Sequence, residues 1–142
     1  MSAEPITNYL AYLLAQANRK MTAQLESALS EEGVPIEYWR ILEVLSDEGG
    51  RSMGELAELV LMNHPALTKT IDRMVSSALV HRRADTADSR RVLVYISDHG
   101  LALVARLRER VDHHHDAITE AVGSKKTEQL KKLLGDLIRN TE

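Results

Sequence analysis

The sequence has no cysteine and no phenylalanine, and only 3 proline and 7 glycine residues among 142. Without cysteine there is no disulfide, no thiolate zinc site, no cysteine nucleophile and no thiol-based redox sensor. No stretch approaches the ~18 uncharged apolar residues of a membrane span, and Met1-Ser2-Ala3-Glu4-Pro5 lacks the basic and apolar regions of a secretory leader. A cytoplasmic protein with no membrane partner is the expectation. There is also no phosphate-binding glycine loop, no His-Glu-x-x-His and no Gly-x-Ser-x-Gly, so neither an enzyme nor a cofactor is expected. What is present is 44% apolar and 27% charged residues, the balance of an ordinary folded protein. At roughly 100 to 200 residues per domain, the whole chain is expected to form a single one.

The formal net charge of −3 argues against nucleic acid, because phosphate affinity comes from Lys and Arg. The placement of the charges argues the other way. Residues 1–62 hold 4 Lys+Arg against 10 Asp+Glu, and residues 98–142 carry 8 of each. Residues 63–97 hold 6 (Lys69, Arg73, Arg82, Arg83, Arg90, Arg91) against 3 (Asp72, Asp85, Asp88). One localised basic surface is therefore expected in the middle of the chain.

Apolar residues at spacings of three and four, from Ile6 through Leu10, Leu13, Leu14, Ala17, Met21 and Leu25 to Ala28, predict one long helix over about 4–30. Gly33 and Pro35 end it. A second helix is predicted over 36–47, carrying Trp39, Leu42 and Leu45, and a third over 53–61 with Ser52 as N-cap and Glu55 as its capping-box partner. Asn63 is the N-cap of a fourth, where Pro65 is tolerated in the first turn. Its stripe of Leu67, Ile71, Met74 and Ala78 carries it to about Leu79. The period then changes, and 79–84 and 92–96 read as strands joined by the polar loop 85–91. Ser97 caps a helix over about 98–121, Gly123 breaks it, and Ser124 caps a last helix striped with Leu130, Leu133, Leu134, Leu137 and Ile138. Short helices followed by a hairpin with a protruding polar tip make a winged helix-turn-helix, in a mainly α protein flanked by long helices.

With Leu67, Ile71, Met74 and Ala78 turned to the core, the fourth helix presents Pro65, Lys69, Asp72, Arg73 and Ser76 outward, with Ala66 beside them. A helix entering a major groove needs such a face: small residues permit approach, and cations meet phosphates or guanine edges. Thr68 and Thr70 flank it with hydroxyls. Asn63 and His64 stand at the N-terminus, where free amides favour an anion, and Ser52 at the preceding helix start is grouped with them. The hairpin adds Arg82 and Arg83 on its first strand and Arg90 and Arg91 on its loop. An Arg at a narrow tip can enter a minor groove, and Asp88 is close enough in sequence to hold Arg90 by a charged hydrogen bond.

The run Ala66-Leu67-Thr68-Lys69-Thr70-Ile71-Asp72-Arg73-Met74, the segment Leu79 to Arg83, and Asp88-Ser89-Arg90-Arg91 followed by a strand and Ser97-Asp98-His99-Gly100 resemble the MarR family of bacterial transcriptional regulators. Ala78 stands where that family commonly has Gly, and the Asn63-His64-Pro65 helix start departs from its pattern. The resemblance implies a homodimer built from the terminal helices, about 4–30 and 98–140. It also implies a DNA-binding region over about 36–97, and repression released by a small anionic aromatic or acyl effector. The apolar stripes of the terminal helices support a dimer independently, since they exceed what a small winged core covers. A two-fold dimer predicts a pseudo-palindromic double-stranded DNA operator. The rival is a winged-helix protein-interaction module without DNA binding, against which the basic wing and the groove-compatible helix face count.

Tyr9, Tyr12, Tyr38 and Trp39 fall near where an effector pocket would form, offering stacking faces and polar tips. Trp39 also fits a core-filling role, and Arg19 or Arg40 would pair a carboxylate. His113-His114-His115 is not expected to bind a metal, because consecutive helical side chains point about 100° apart.

Overall fold

The computed structural model describes residues 4–141, so the sequence reading of Met1-Ser2-Ala3 lies outside the described residues. In chain order the helices are α1 (Leu10–Leu29), α2 (Ile36–Leu45), α3 (Met53–Val60), α4 (His64–Ser76), α5 (Asp98–Val122) and α6 (Ser124–Asn140). The strands are β1 (Arg51–Ser52), β2 (Val80–Ala84) and β3 (Val92–Ile96). They form an antiparallel sheet in the order β1-β3-β2, with Val80 opposite Ile96 and Ala84 opposite Val92. The pair β2–β3 is the predicted wing. β1, which pairs Arg51 with Val94 and Ser52 with Leu93, is too short to carry a periodic signal.

The core lies where α2, α3, α4 and the sheet meet the first half of α5. Ile41, Leu42, Leu45, Leu56, Leu67, Ile71, Met74, Val94 and Leu107 are fully buried there. Burying a side chain of this size contributes about 1.5–3 kcal/mol, so the segment from α2 to the first half of α5 is the best-anchored part of the chain. Three N-caps behave as the sequence implies: Ser52 accepts from Glu55 N, Asn63 from Ala66 N and Ser97 from Gly100 N. Gly100 has a further cause. A Cβ there would collide with the Leu79 carbonyl oxygen, against which the start of α5 is seated by Ser97 N donating to Leu79 O at 3.0 Å.

Three expectations are corrected. The first helix is not continuous from residue 4: a 3-10 turn over Ile6–Asn8 is followed by extended Tyr9. Pro5, Ile6, Thr7, Asn8 and Tyr9 are all weak helix formers, whereas Leu10 onward is rich in strong ones. The fourth helix stops at Ser76, and Ala78 turns left-handed at φ 61. Ala78 is consequently exposed rather than in the core. Ser124 does not cap α6: Gly123 holds that position without a side-chain cap, and Thr127 Oγ1 donates to the Gly123 carbonyl at 2.8 Å.

Candidate nucleic-acid interface

Burial of Leu67, Ile71 and Met74 on one side of α4 fixes what the other side shows. His64, Pro65, Thr68, Lys69, Asp72, Arg73 and Ser76 are exposed, while Ala66 and Thr70 are half-buried. Among the described residues Lys69 and Arg73 form no ion pair, so both charges face solvent uncompensated. Thr68 Oγ1 donates to His64 O and Thr70 Oγ1 to Ala66 O, each at 3.0 Å. These hydroxyls spend their protons within the helix and must rotate before donating to a phosphate. Asn63 Oδ1 accepts from Ala66 N at 2.9 Å and is spent on the cap.

The wing cations differ in how far each is engaged. Arg82 Nη2 donates to Asp72 Oδ1 at 2.5 Å, tying β2 to α4. Arg83 lies with its Cζ 5.1 Å from the centroid of the Tyr95 ring, and His81 stacks on the same ring at 5.8 Å. Arg91 hydrogen-bonds Glu55 of α3. Arg90 donates from Nε to Asp88 Oδ1 at 3.2 Å, yet its side chain remains 90% exposed at the wing tip. The expected Asp88–Arg90 pair is present; the partners of Arg82 and Arg91 were not foreseen, because they lie 10 and 36 residues away in sequence. The side chain of Ser52 is occupied by the α3 cap, accepting from Glu55 N at 3.2 Å and donating to Glu55 Oε1 at 2.8 Å.

The family model described as MarR family matches residues 32–91, the span of α2, α3, α4 and the start of the wing. Over 126 residues the chain is 31% identical to the HTH-type transcriptional regulator FarR of Neisseria gonorrhoeae, covering 89% of this chain and 86% of FarR. The chain belongs to the MarR family of transcriptional regulators. Its fold matches that of NadR, crystallised in complex with 4-hydroxyphenylacetate, with a TM-score of 0.82 and 28% identity over 99% of this chain and 100% of NadR. It also matches the transcriptional repressor CouR bound to a 23-mer DNA duplex, with a TM-score of 0.86 and 21% identity over 96% and 99% of the two chains.

The aromatic residues expected around a MarR-family effector do not converge in one chain. Tyr9 is exposed, and Tyr12 and Arg19 line a shallow cleft of about 220 Å³ with Ala15 and Gln16. Tyr38 and Trp39 pack against the core. Arg40 lines a separate cleft between α1 and α5, also about 220 Å³, with Met21, Leu25, Val111, His114 and Ile118. The α5 residues of this cleft were not assigned to an effector from sequence, since apolar positions on a long helix read equally well as dimer contacts. A larger cleft of about 500 Å³ sits near the Ser30–Glu32 turn, but its Arg106 and Arg110 are paired with Glu32 and Glu31. Among the described residues no group of His, Asp and Glu is placed to hold a metal. His114 instead contacts Gln24 and His115 contacts Lys131.

An ion pair joins α5 to α2. Arg108 of α5 grips Glu43 of α2 through Nε at 3.0 Å and Nη2 at 2.5 Å. This bidentate hydrogen bond, more than the opposing desolvation, holds the Glu43 carboxyl below its ordinary range. Trp39 Nε1 is buried one turn away, and its N–H is a further, smaller cause of the lowered Glu43 carboxyl.

Proposed function

We propose that this regulator is a cytoplasmic, non-enzymatic repressor that binds a pseudo-palindromic duplex as a homodimer and leaves it when a small anionic aromatic or acyl ligand binds. Residues 36–97 form the reader and the terminal helices form the dimer. The observation that carries the reading is the pairing of uncompensated Lys69 and Arg73 on the outer face of α4 with the 90%-exposed Arg90 at the wing tip. One element is shaped for a major groove and the other for the flanking minor groove. CouR, of the same fold, is solved on DNA.

Dimerisation is supported by the terminal segments, where Ile6, Leu10, Leu130, Leu133 and Ile138 each keep more than half of their surface exposed in the single chain. Such stripes are covered by a second copy. For the effector, the Arg40 cleft is the better candidate than the larger one, because Glu31 and Glu32 there already neutralise the arginines and repel a carboxylate. The ligand solved with NadR, 4-hydroxyphenylacetate, joins an aromatic ring to a carboxylate, the chemistry that the apolar walls and the Arg40 guanidinium of the smaller cleft fit.

Selection of bound duplexes from random-sequence DNA tests the reading. A recovered inverted repeat with half-sites about one helical turn apart supports it, and recovery of no common sequence overturns it. Screening aromatic acids for release of that duplex then identifies the effector.

A further inference from the structure

Sequence adjacency groups Arg91 with Arg90 as a cation of the wing, but the Arg91 guanidinium is already occupied. Its Nη2 donates to Glu55 Oε1 in the first turn of α3, and its Nη1 stands 3.9 Å from Asp85 Oδ2. Its backbone closes the wing loop as well: Asp85 N donates to Arg91 O at 2.8 Å, and Arg91 N donates to Asp88 O at 2.9 Å. Glu55 is fixed from the other side by Ser52 Oγ at 2.8 Å, and Ser52 is itself paired with Leu93 in the sheet. One carboxylate thus joins the start of α3 to the root of the loop that carries Arg90.

We propose that Glu55 is a positioning residue for DNA reading: through Arg91 it sets the angle at which the wing presents Arg90, and Arg91 serves as the strut rather than as a phosphate contact. The inference rests on the DNA-binding reading given above. It makes a prediction opposite in sign to simple electrostatics. A carboxylate beside a polyanion repels it, so neutralising Glu55 and releasing Arg91 toward the phosphates strengthens binding if charge alone decides. If Glu55 anchors a strut, neutralising it weakens binding although the protein becomes more positive.

Glu55→Gln is suited to the test because Gln serves a capping box as Glu does. The probe is the fluorescein-labelled duplex that the wild-type protein selects from a random-sequence pool, titrated by anisotropy over a salt series. Proteins compared are the wild type, Glu55→Gln, Arg91→Gln, the double variant and Arg90→Gln. Each of the first two variants is expected to weaken binding about three- to tenfold, and the double variant no more than the worse of them, because both cut the same link. Neither changes the slope of log affinity against log salt, whereas Arg90→Gln lowers it. Glu55→Gln binding as tightly as wild type or tighter overturns the proposal, and so does an Arg91→Gln slope that falls as far as that of Arg90→Gln. Urea midpoints measured alongside ensure that all variants are folded under the binding conditions. Selection of no sequence by the wild type defeats the DNA reading itself, whereas successful selection followed by tighter binding of Glu55→Gln defeats the strut alone.

Discussion

Asp72 Oδ1 and Arg82 Nη2 lie 2.5 Å apart, joining the outer face of α4 to the first strand of the wing. Arg82 is therefore partly neutralised in place, unlike Lys69 and Arg73 on the same surface. Both partners are partly exposed, so the pair contributes no more than about 1 kcal/mol to stability. Arg82→Gln is expected to leave the urea midpoint nearly unchanged and the salt slope of operator binding close to wild type. Lys69→Gln and Arg73→Gln each lower that slope by about 0.9 per phosphate contact removed.

Asp88 accepts from Arg90 Nε and is expected to act on DNA only through it. Arg90→Ala is expected to weaken operator binding by at least about tenfold, and Asp88→Ala by less, since the guanidinium remains but is no longer oriented. The double variant binds like Arg90→Ala, because Asp88 has nothing left to hold. Additive losses in the anisotropy titrations would show that Asp88 has a separate role.

Ala78 occupies a left-handed position at φ 61 between α4 and the wing. An L-residue with a Cβ is strained there, and Gly is not. Ala78→Gly is expected to stabilise the fold by about 1 kcal/mol in urea denaturation, with no loss of operator affinity. A lower midpoint contradicts the strain.

The Arg108–Glu43 clasp makes part of the stability pH-dependent. The Glu43 carboxyl is held below its ordinary value of 4.5 chiefly by the Arg108 hydrogen bonds. A depressed folded-state value stabilises the fold fully above 4.5, and the contribution is lost as pH falls from there through the folded value. Wild-type urea midpoints are expected to decline more steeply than those of Glu43→Gln across that acid range, and parallel curves would refute it.

The apolar surfaces of α1 and α6 require a partner. Leu133 is 58% exposed in the single chain, and Leu133→Glu is expected to shift the protein from dimer to monomer in light scattering, with loss of operator binding. Retention of the dimer places the interface elsewhere.

Much of this was legible from residues alone because the signals are local. Ser52, Asn63 and Ser97 cap their helices three residues from their targets, and Leu67, Ile71 and Met74 identify the buried face of α4 by spacing. The helix break at Tyr9 was missed because the apolar pattern runs unbroken across a stretch whose backbone preference is non-helical. β1 was missed because two residues have no period, and it exists only because β3 offers an edge. The assignments of Arg82 and Arg91 differ from expectation for another reason. Their ion-pair partners arrive through tertiary folding, and adjacency in sequence does not reveal which of two neighbouring arginines is already taken.

The order β1-β3-β2 places β3 between the wing's other strand and the residues that start α3. The returning strand of the wing is therefore paired at Leu93 and Val94 with the residues that start α3 as well as with β2, which ties the root of the wing to α3. In the dimer proposed above the two readers are expected to act like the jaws of a caliper, leaving the gap between them as the quantity for an effector to adjust. A ligand bound in the cleft proposed above, between α1 and α5, would then need to disturb no DNA-facing side chain to abolish binding; it would have only to hold the jaws at a width that no pair of adjacent grooves matches.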